Sequence, residues 1–282
     1  MEKNIMKRLY LFISLFVFFS FVFPCRAQFN SALYDKEAFL IGTLDDYMGY
    51  LRTFTAGSAS SIYQRVDIYN RTGSKRIALF MDSLFNSEYP DIFLTYDEAS
   101  GITELYSPTL SRKIDKYFDY KPFAMRTIQG DTIFTGSILK NTFKTDKEKL
   151  SFLLGVYLRY GYNGTISLAN SLSKAAVCVE MLKEFGCKDV EYTIKKGCVP
   201  MSQIITFKPS LKIQKIIDEA DKLFLDLLNI NTDRIEFAPD GINYIWFERE
   251  HSKIPFKVNE PDQPNGKDTV IGPITTAILP QK

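Results

Sequence analysis

Residues 190–228, VEYTIKKGCVPMSQIITFKPSLKIQKIIDEADKLFLDLL, contain the pattern that decides the fold class. Segments 190–194 and 203–207 are rich in β-branched and aromatic residues, which predicts two strands. After Lys208-Pro209-Ser210, segment 211–228 places apolar residues three and four positions apart, which predicts a long amphipathic helix. Two strands followed by a helix are typical of an antiparallel sheet with a helix packed on one face.

The segments on either side continue this alternation. Upstream are two predicted helices, 145–161 and 167–185, which we expect to form an antiparallel pair. Thr145 and Glu148 form a capping-box pattern at the start of the first helix. Downstream, a Pro-Asp-Gly turn at 239–241 predicts a further hairpin. The predicted fold class is therefore α+β, with antiparallel sheets and amphipathic helices packed on one face.

The N-terminal part is predicted to mix helices and strands in the same way. We predict helices at 35–54, 74–85 and 110–118, and strands at 92–96, 102–106, 123–128 and 132–139. We find no internal repeat in the sequence. The predicted division is a signal peptide at 1–27, an N-terminal α+β region at 28–140, a C-terminal α+β region at 141–254 and a Pro-rich tail at 255–282. The two α+β regions are also compatible with one continuous domain.

The first 27 residues have the pattern of an export signal. Lys3, Lys7 and Arg8 supply the positive charge, and the apolar run 9–23 follows them. We predict cleavage between Ala27 and Gln28. The apolar run has 15 residues, fewer than the roughly 20 that cross a bilayer as a helix, so we expect no transmembrane anchor in the mature chain.

The location that these residues predict is a bacterial periplasm or outer envelope. Lipid anchoring at Cys25 is the less favoured alternative, because Pro24 occupies the position where a lipoprotein signal has a small residue. Three triplets resemble the Asp-Ser/Thr-aliphatic acceptor for O-glycosylation of exported proteins in Bacteroidota, namely Asp82-Ser83-Leu84, Asp131-Thr132-Ile133 and Asp268-Thr269-Val270. This resemblance implies a bacterial envelope location.

The charge balance argues against nucleic-acid partners. Removal of residues 1–27 leaves 31 Lys+Arg against 32 Asp+Glu, a net charge of about −1. Without an excess of basic residues, the mature chain lacks the electrostatic contribution on which nucleic-acid binding depends.

Few residues of the sequence suggest catalysis. His251 is the one histidine, so a multi-histidine zinc site cannot form, and no phosphate-binding glycine loop occurs. We therefore expect no metal and no cofactor. Glu248 and Glu250 are the candidate acids, and Tyr244 and Trp246 alternate with them on one side of a predicted strand as candidate ligand-binding residues. His251, just past the end of that strand, is the third catalytic candidate. A solvated edge strand is the alternative for the four strand residues, and an exposed imidazole at the strand end is the alternative for His251.

Three cysteines remain after the leader: Cys178, Cys187 and Cys198. A bridge between Cys187 and Cys198 would need a sharp reversal of the predicted strand, so we expect free thiols and a buried apolar role for Cys178.

The leading functional hypothesis is an exported, non-catalytic envelope protein that binds a ligand or a protein partner. One alternative is an envelope hydrolase acting on a glycan or peptidoglycan component through Glu248 and Glu250. The other is an envelope assembly protein, in which segment 270–279 of the tail adds a strand to a partner sheet. The sequence does not specify the oligomeric state.

Overall fold

Six α-helices and three antiparallel sheets make up the described chain. The structure, a computed structural model, describes residues 29–45, 47–54, 65–69, 75–97, 101–127, 130–196 and 201–229. The predicted α+β class is confirmed.

The first half of the described chain contains three helices and the strands of two sheets. Its helices are α1 (Lys36–Thr43), α2 (Lys75–Phe85) and α3 (Pro108–Ile114), and its strands are β1 (Tyr50–Arg52), β2 (Arg65–Tyr69), β3 (Phe93–Asp97), β4 (Ile102–Tyr106), β5 (Phe118–Arg126) and β6 (Thr132–Ile138). One sheet has the order β2-β4-β3, and the other has the order β1-β6-β5. A 3-10 turn at Asp115–Tyr117 joins α3 to β5.

The second half contains one larger sheet and three helices. The helices are α4 (Asp146–Tyr160), α5 (Leu172–Glu184) and α6 (Leu211–Leu228), and the strands are β7 (Gly161–Tyr162), β8 (Thr165–Ala169), β9 (Lys188–Lys195) and β10 (Ser202–Lys208). The sheet has the order β7-β8-β10-β9, so β9 lies at its edge.

The two halves repeat one order of elements. From α1 to α3 and again from α4 to α6, the described elements follow the order helix, two strands, helix, two strands, helix. The sheet order β2-β4-β3 in the first half matches β8-β10-β9 in the second. The two units differ in the pairing of their first strand, because β1 pairs with β6 of the hairpin that follows α3, whereas β7 pairs with β8. The structure therefore contains a repeat that we did not find in the sequence.

Helices α1 and α4 pack against each other through glycine. A Cβ on Gly42 would lie 2.1 Å from the carbonyl oxygen of Phe152, and a Cβ on Gly155 would lie 2.2 Å from the carbonyl oxygen of Phe39. Only glycine allows two backbones to approach this closely. The buried side chains around this contact belong to one hydrophobic cluster, which extends from Ala38 to Leu227.

The predicted helix at 35–54 is wrong beyond Thr43. Helix α1 ends there because Leu44 is extended, and Met48 and Gly49 adopt φ values of 61° and 94°, which no α-helix contains. Tyr50 then pairs with Gly136 in the β1–β6 ladder. Tertiary pairing thus overrides the helical spacing of the apolar residues in this segment.

The predicted helix at 167–185 begins too early, and the predicted antiparallel helix pair is also wrong. Residues Thr165–Ala169 form strand β8, and α5 starts at Leu172. Helix α4 packs mainly on α1 and α6, and the β7–β8 hairpin lies between α4 and α5.

Other predicted elements are confirmed where the structure describes them. Helix α6 has the predicted bounds, and the strands at β3, β4, β6, β9 and β10 agree with the predicted segments to within two residues at most ends. The capping box is present: Thr145 Oγ1 accepts from the Glu148 N–H at 3.2 Å, and Glu148 Oε2 accepts from the Thr145 N–H at 2.8 Å.

Candidate functional site

The site residues proposed from the sequence lie outside the described residues. This holds for the candidate acids and histidine Glu248, Glu250 and His251, and for the candidate ligand-binding residues Tyr244 and Trp246. The cleavage junction at Ala27 and Gln28 and the third mature cysteine, Cys198, also lie outside them. The structure therefore brings none of these residues into a site, and the sequence-based hypotheses about them remain predictions.

The main buried cluster of polar side chains in the described chain is the helix-end junction, which we define as Asp45, Asp67, Arg159, Lys174 and Tyr160. It lies where the C-terminal ends of α1 and α4 meet. Asp67 enters it from β2, and Lys174 enters it from α5. A position at helix C-terminal ends favours cations, because the last carbonyl groups carry partial negative charge.

Arg159 is the central member of the helix-end junction. Its Nη1 donates to Asp67 Oδ2 at 2.6 Å and to the carbonyl oxygen of Thr43, and its Nη2 donates to the carbonyl oxygen of Ile68 at 2.6 Å. The guanidinium also lies 4.7 Å from the centre of the Tyr69 ring. Arg159 thus ties the end of α1 to strand β2.

Lys174 and Tyr160 complete the junction from the other side. The buried ammonium of Lys174 donates to the carbonyl oxygens of Gly42 and Leu44. Tyr160 donates its hydroxyl to the same Leu44 oxygen at 2.9 Å. These bonds satisfy carbonyl groups that α1 leaves without helical partners.

The electrostatics of the junction follow from its burial. Burial raises the pKa of Asp67, while Arg159 and the backbone N–H groups of Asp45 and Ile68 oppose that rise. Burial would lower the pKa of Arg159, but Asp67 and the other neighbouring acidic groups raise it overall. The junction contains two cations, Arg159 and Lys174, and two carboxylates, Asp45 and Asp67, so its charges balance.

This geometry is typical of a structural clamp. Both oxygens of Asp67 accept hydrogen bonds from groups of the protein and the residue is buried, so the carboxylate is not placed to contact a substrate. No sequence signal predicted the junction, because Asp67 and Arg159 are 92 positions apart and neither belongs to a recognisable motif.

A second buried ion pair has the same character. Arg52, which is fully buried, donates from Nε to Asp115 Oδ1 at 2.8 Å and from Nη2 to Asp115 Oδ2 at 3.0 Å. Tyr120 donates its hydroxyl to Asp115 Oδ1 at 2.7 Å. This bidentate pair holds β1 against the 3-10 turn that follows α3.

The described cysteines and acidic residues do not form a reactive centre or a metal centre. Cys178 is buried and Cys187 is half-buried, and neither forms a disulfide within the described residues. Within the described ranges, no group of three or more His, Cys, Asp or Glu residues is arranged to hold a metal ion.

The exposed surface contains a different kind of feature, an apolar row on β9. We define the β9 row as Val190, Tyr192 and Ile194, which share one face of the strand because their side chains alternate with the others. Tyr192 is 40% exposed and Ile194 is 37% exposed, whereas Val190 packs against the core.

The β9 row continues the buried face of its sheet. Tyr192 pairs with Ile205 on β10, and Ile194 pairs with Gln203, and both partners are fully buried. Directly paired residues point to the same face, so the row belongs to the face that the helices cover. It is exposed because, within the part of the chain that the structure describes, no strand pairs with the outer edge of β9.

The sequence predicted β9 as a strand but did not predict that the β9 row is a site. The alternation of Val190, Tyr192 and Ile194 with polar residues was visible in the sequence. Position at a sheet edge, however, is a property of strand order, which the sequence does not state.

No helix within the described ranges has both the length and the hydrophobicity that crossing a bilayer requires.

Comparisons with known proteins assign the chain to no family. No family model matches the chain, and no curated protein matches it. Among solved structures, the chain is similar to the crystal structure of I-DmoI in complex with DNA and Ca, with 13% identity over 67% of this chain and 88% of that chain and a TM-score of 0.39.

Proposed function

We propose that the protein is an exported, non-catalytic binding protein of a bacterial envelope, and that it binds an extended apolar segment along the outer edge of β9. The observation that carries this proposal is the β9 row, with Tyr192 and Ile194 exposed beside buried partners on β10. Natural sheets protect their edges from other strands, so an apolar edge needs an occupant.

A strand added at the edge would both pair with the backbone of β9 and cover its exposed apolar side chains. Its backbone would pair with the N–H and C=O groups on the outer edge, and its alternate side chains would cover the β9 row. The opposite face of β9 consists of Glu191, Thr193 and Lys195, which suit solvent. The edge therefore favours a segment with apolar residues at every second position on one face only.

The non-catalytic part of the proposal is supported by the buried charges. The helix-end junction and the Arg52–Asp115 pair use their ionisable groups to hold elements together. The export part is supported by the signal pattern of residues 1–27.

Export is tested by cell fractionation and N-terminal sequencing of the protein from its producing cells. We expect the mature chain in the envelope or periplasmic fraction, with Gln28 as its first residue. A cytosolic protein with an intact Met1 start would overturn the export proposal.

Binding is tested with a displayed library of 12-residue peptides, selected on the immobilised mature chain. We expect selected peptides to alternate apolar and polar residues. Tyr192→Lys and Ile194→Lys should each weaken their binding at least about tenfold, because a charge in the row would be buried by the added strand. Thr193→Lys, on the opposite face, is the matched control and should change binding less than about twofold. Selected peptides that bind all three variants equally would contradict the proposal.

A further inference from the structure

We propose that the β9 edge is covered by segment 274–279 of the same chain, which an external partner must displace. This inference rests on the proposed function, because it names the resident occupant of the same edge. Segment 274–279, Ile-Thr-Thr-Ala-Ile-Leu, lies outside the described residues.

The chemistry of the β9 row selects this segment. The face of the occupant that meets the β9 row must be uncharged, because Tyr192 and Ile194 continue the buried face of the sheet. Within residues 230–282, the longest run without a charged residue is 269–281. Ile274 and Ile278 are four positions apart in that run, so they would share a face in an extended strand and could contact the β9 row.

The prolines around the segment define which residues can pair. Pro273 and Pro280 have no N–H to donate, whereas each of the six residues between them has one. Six residues in a strand extend about 20 Å, which is enough to pair with the whole β9 row. Proline at both ends of a short strand also limits further edge-to-edge growth.

The length of the connection favours the same chain over a second copy. Helix α6 follows β10 directly and is about 27 Å long, so Asn229 can lie at most roughly 40 Å from β9. Residues 230–273 would span about 65 Å even as a continuous helix, so they can cover this distance. A tethered segment has an effective concentration of order millimolar, which exceeds that of a second copy at micromolar protein.

The test is hydrogen–deuterium exchange of the full mature chain, read on the peptides that cover β9. Ile274→Asp combined with Ile278→Asp should expel the segment, and exchange of the outward N–H groups of β9 should then rise at least about tenfold. Thr275→Asp combined with Ala277→Asp is the matched control. It adds the same charge on the opposite face of the segment, so exchange in β9 should rise less than about threefold. Addition of synthetic peptide 269–281 to the first variant should restore the slow exchange.

Three results would overturn the inference. The first is fast exchange of β9 in the unsubstituted chain, and the second is equal exchange in both double variants. The third is protection that disappears on dilution, which would assign the edge to a second copy. Each of these leaves the proposed function standing if the selected peptides still depend on Tyr192 and Ile194. If Tyr192→Lys and Ile194→Lys leave peptide binding unchanged, the proposed function itself fails.

Discussion

Gly42 on α1 and Gly155 on α4 approach each other in a reciprocal way. Each would place a Cβ about 2 Å from the carbonyl oxygen of the phenylalanine that precedes the other glycine by three positions. Gly155→Ala should therefore force α1 and α4 apart and lower the free energy of unfolding by at least about 2 kcal/mol, even though alanine is the better helix former.

Urea denaturation of the full chain measures this change. Gly101→Ala is a useful control because a Cβ there would meet nothing within 4 Å, although its φ of 68° imposes strain. That strain should cost only about 1–2 kcal/mol. If Gly155→Ala were as stable as the unsubstituted chain, the close contact between the two helices would be wrong.

Removal of the guanidinium at the helix-end junction should be strongly destabilising. Arg159→Met leaves Asp67 buried without its cation, and we expect a loss of about 3–5 kcal/mol in the free energy of unfolding. The measurement is urea denaturation at neutral pH. Arg126→Met, at an exposed hairpin position, should change stability by less than about 0.5 kcal/mol. Combining Arg159→Met with Asp67→Leu should recover part of the loss, because the buried carboxylate that lost its cation is then removed as well. A tolerated single Arg159→Met would contradict the clamp role.

Glu37 should make stability depend on pH below neutrality. Burial raises the pKa of this carboxyl, but hydrogen bonds from Lys113, Lys116 and Tyr117 lower it overall from its ordinary value of 4.5. The folded-state pKa is thus below the unfolded-state pKa. The resulting stabilisation is present above the unfolded-state pKa and is lost as pH falls through the folded-state pKa.

Glu37→Gln should therefore lower the free energy of unfolding by about 1 kcal/mol at pH 7, and by much less near pH 3. Urea denaturation at several pH values gives the comparison. Glu180→Gln, at an exposed position on α5, is the control and should behave like the unsubstituted chain throughout. A loss of equal size at both pH values would show that Glu37 acts by packing alone.

The near-neutral mature chain should not bind duplex DNA. At about 150 mM salt, fluorescence anisotropy of a labelled duplex should show no saturable binding up to roughly 100 μM protein, because few counterions would be released. Lysozyme, a basic protein, serves as the positive control for the assay. Binding that weakens steeply with rising salt would contradict both the charge argument and the proposed function.

Local signals in the sequence predicted many elements of the fold. Thr145 and Glu148 identified the start of α4, because a capping box satisfies helix N–H groups within four residues. Alternation identified β10, and helical spacing identified α6. The helix predicted at 35–54 was wrong beyond Thr43, because Tyr50 pairs with Gly136, which lies far along the chain.

By itself, the sequence determined the α+β class and the existence of β9, since hydrophobic periodicity and capping act over a few neighbouring residues. Only the tertiary structure decided that β9 lies at a sheet edge and that Arg159 meets Asp67. It also decided that α1 and α4 start two similar units in contact through Gly42 and Gly155. Strand order, buried ion pairs and helix contacts join residues that are distant in sequence, and no local pattern encodes such neighbours.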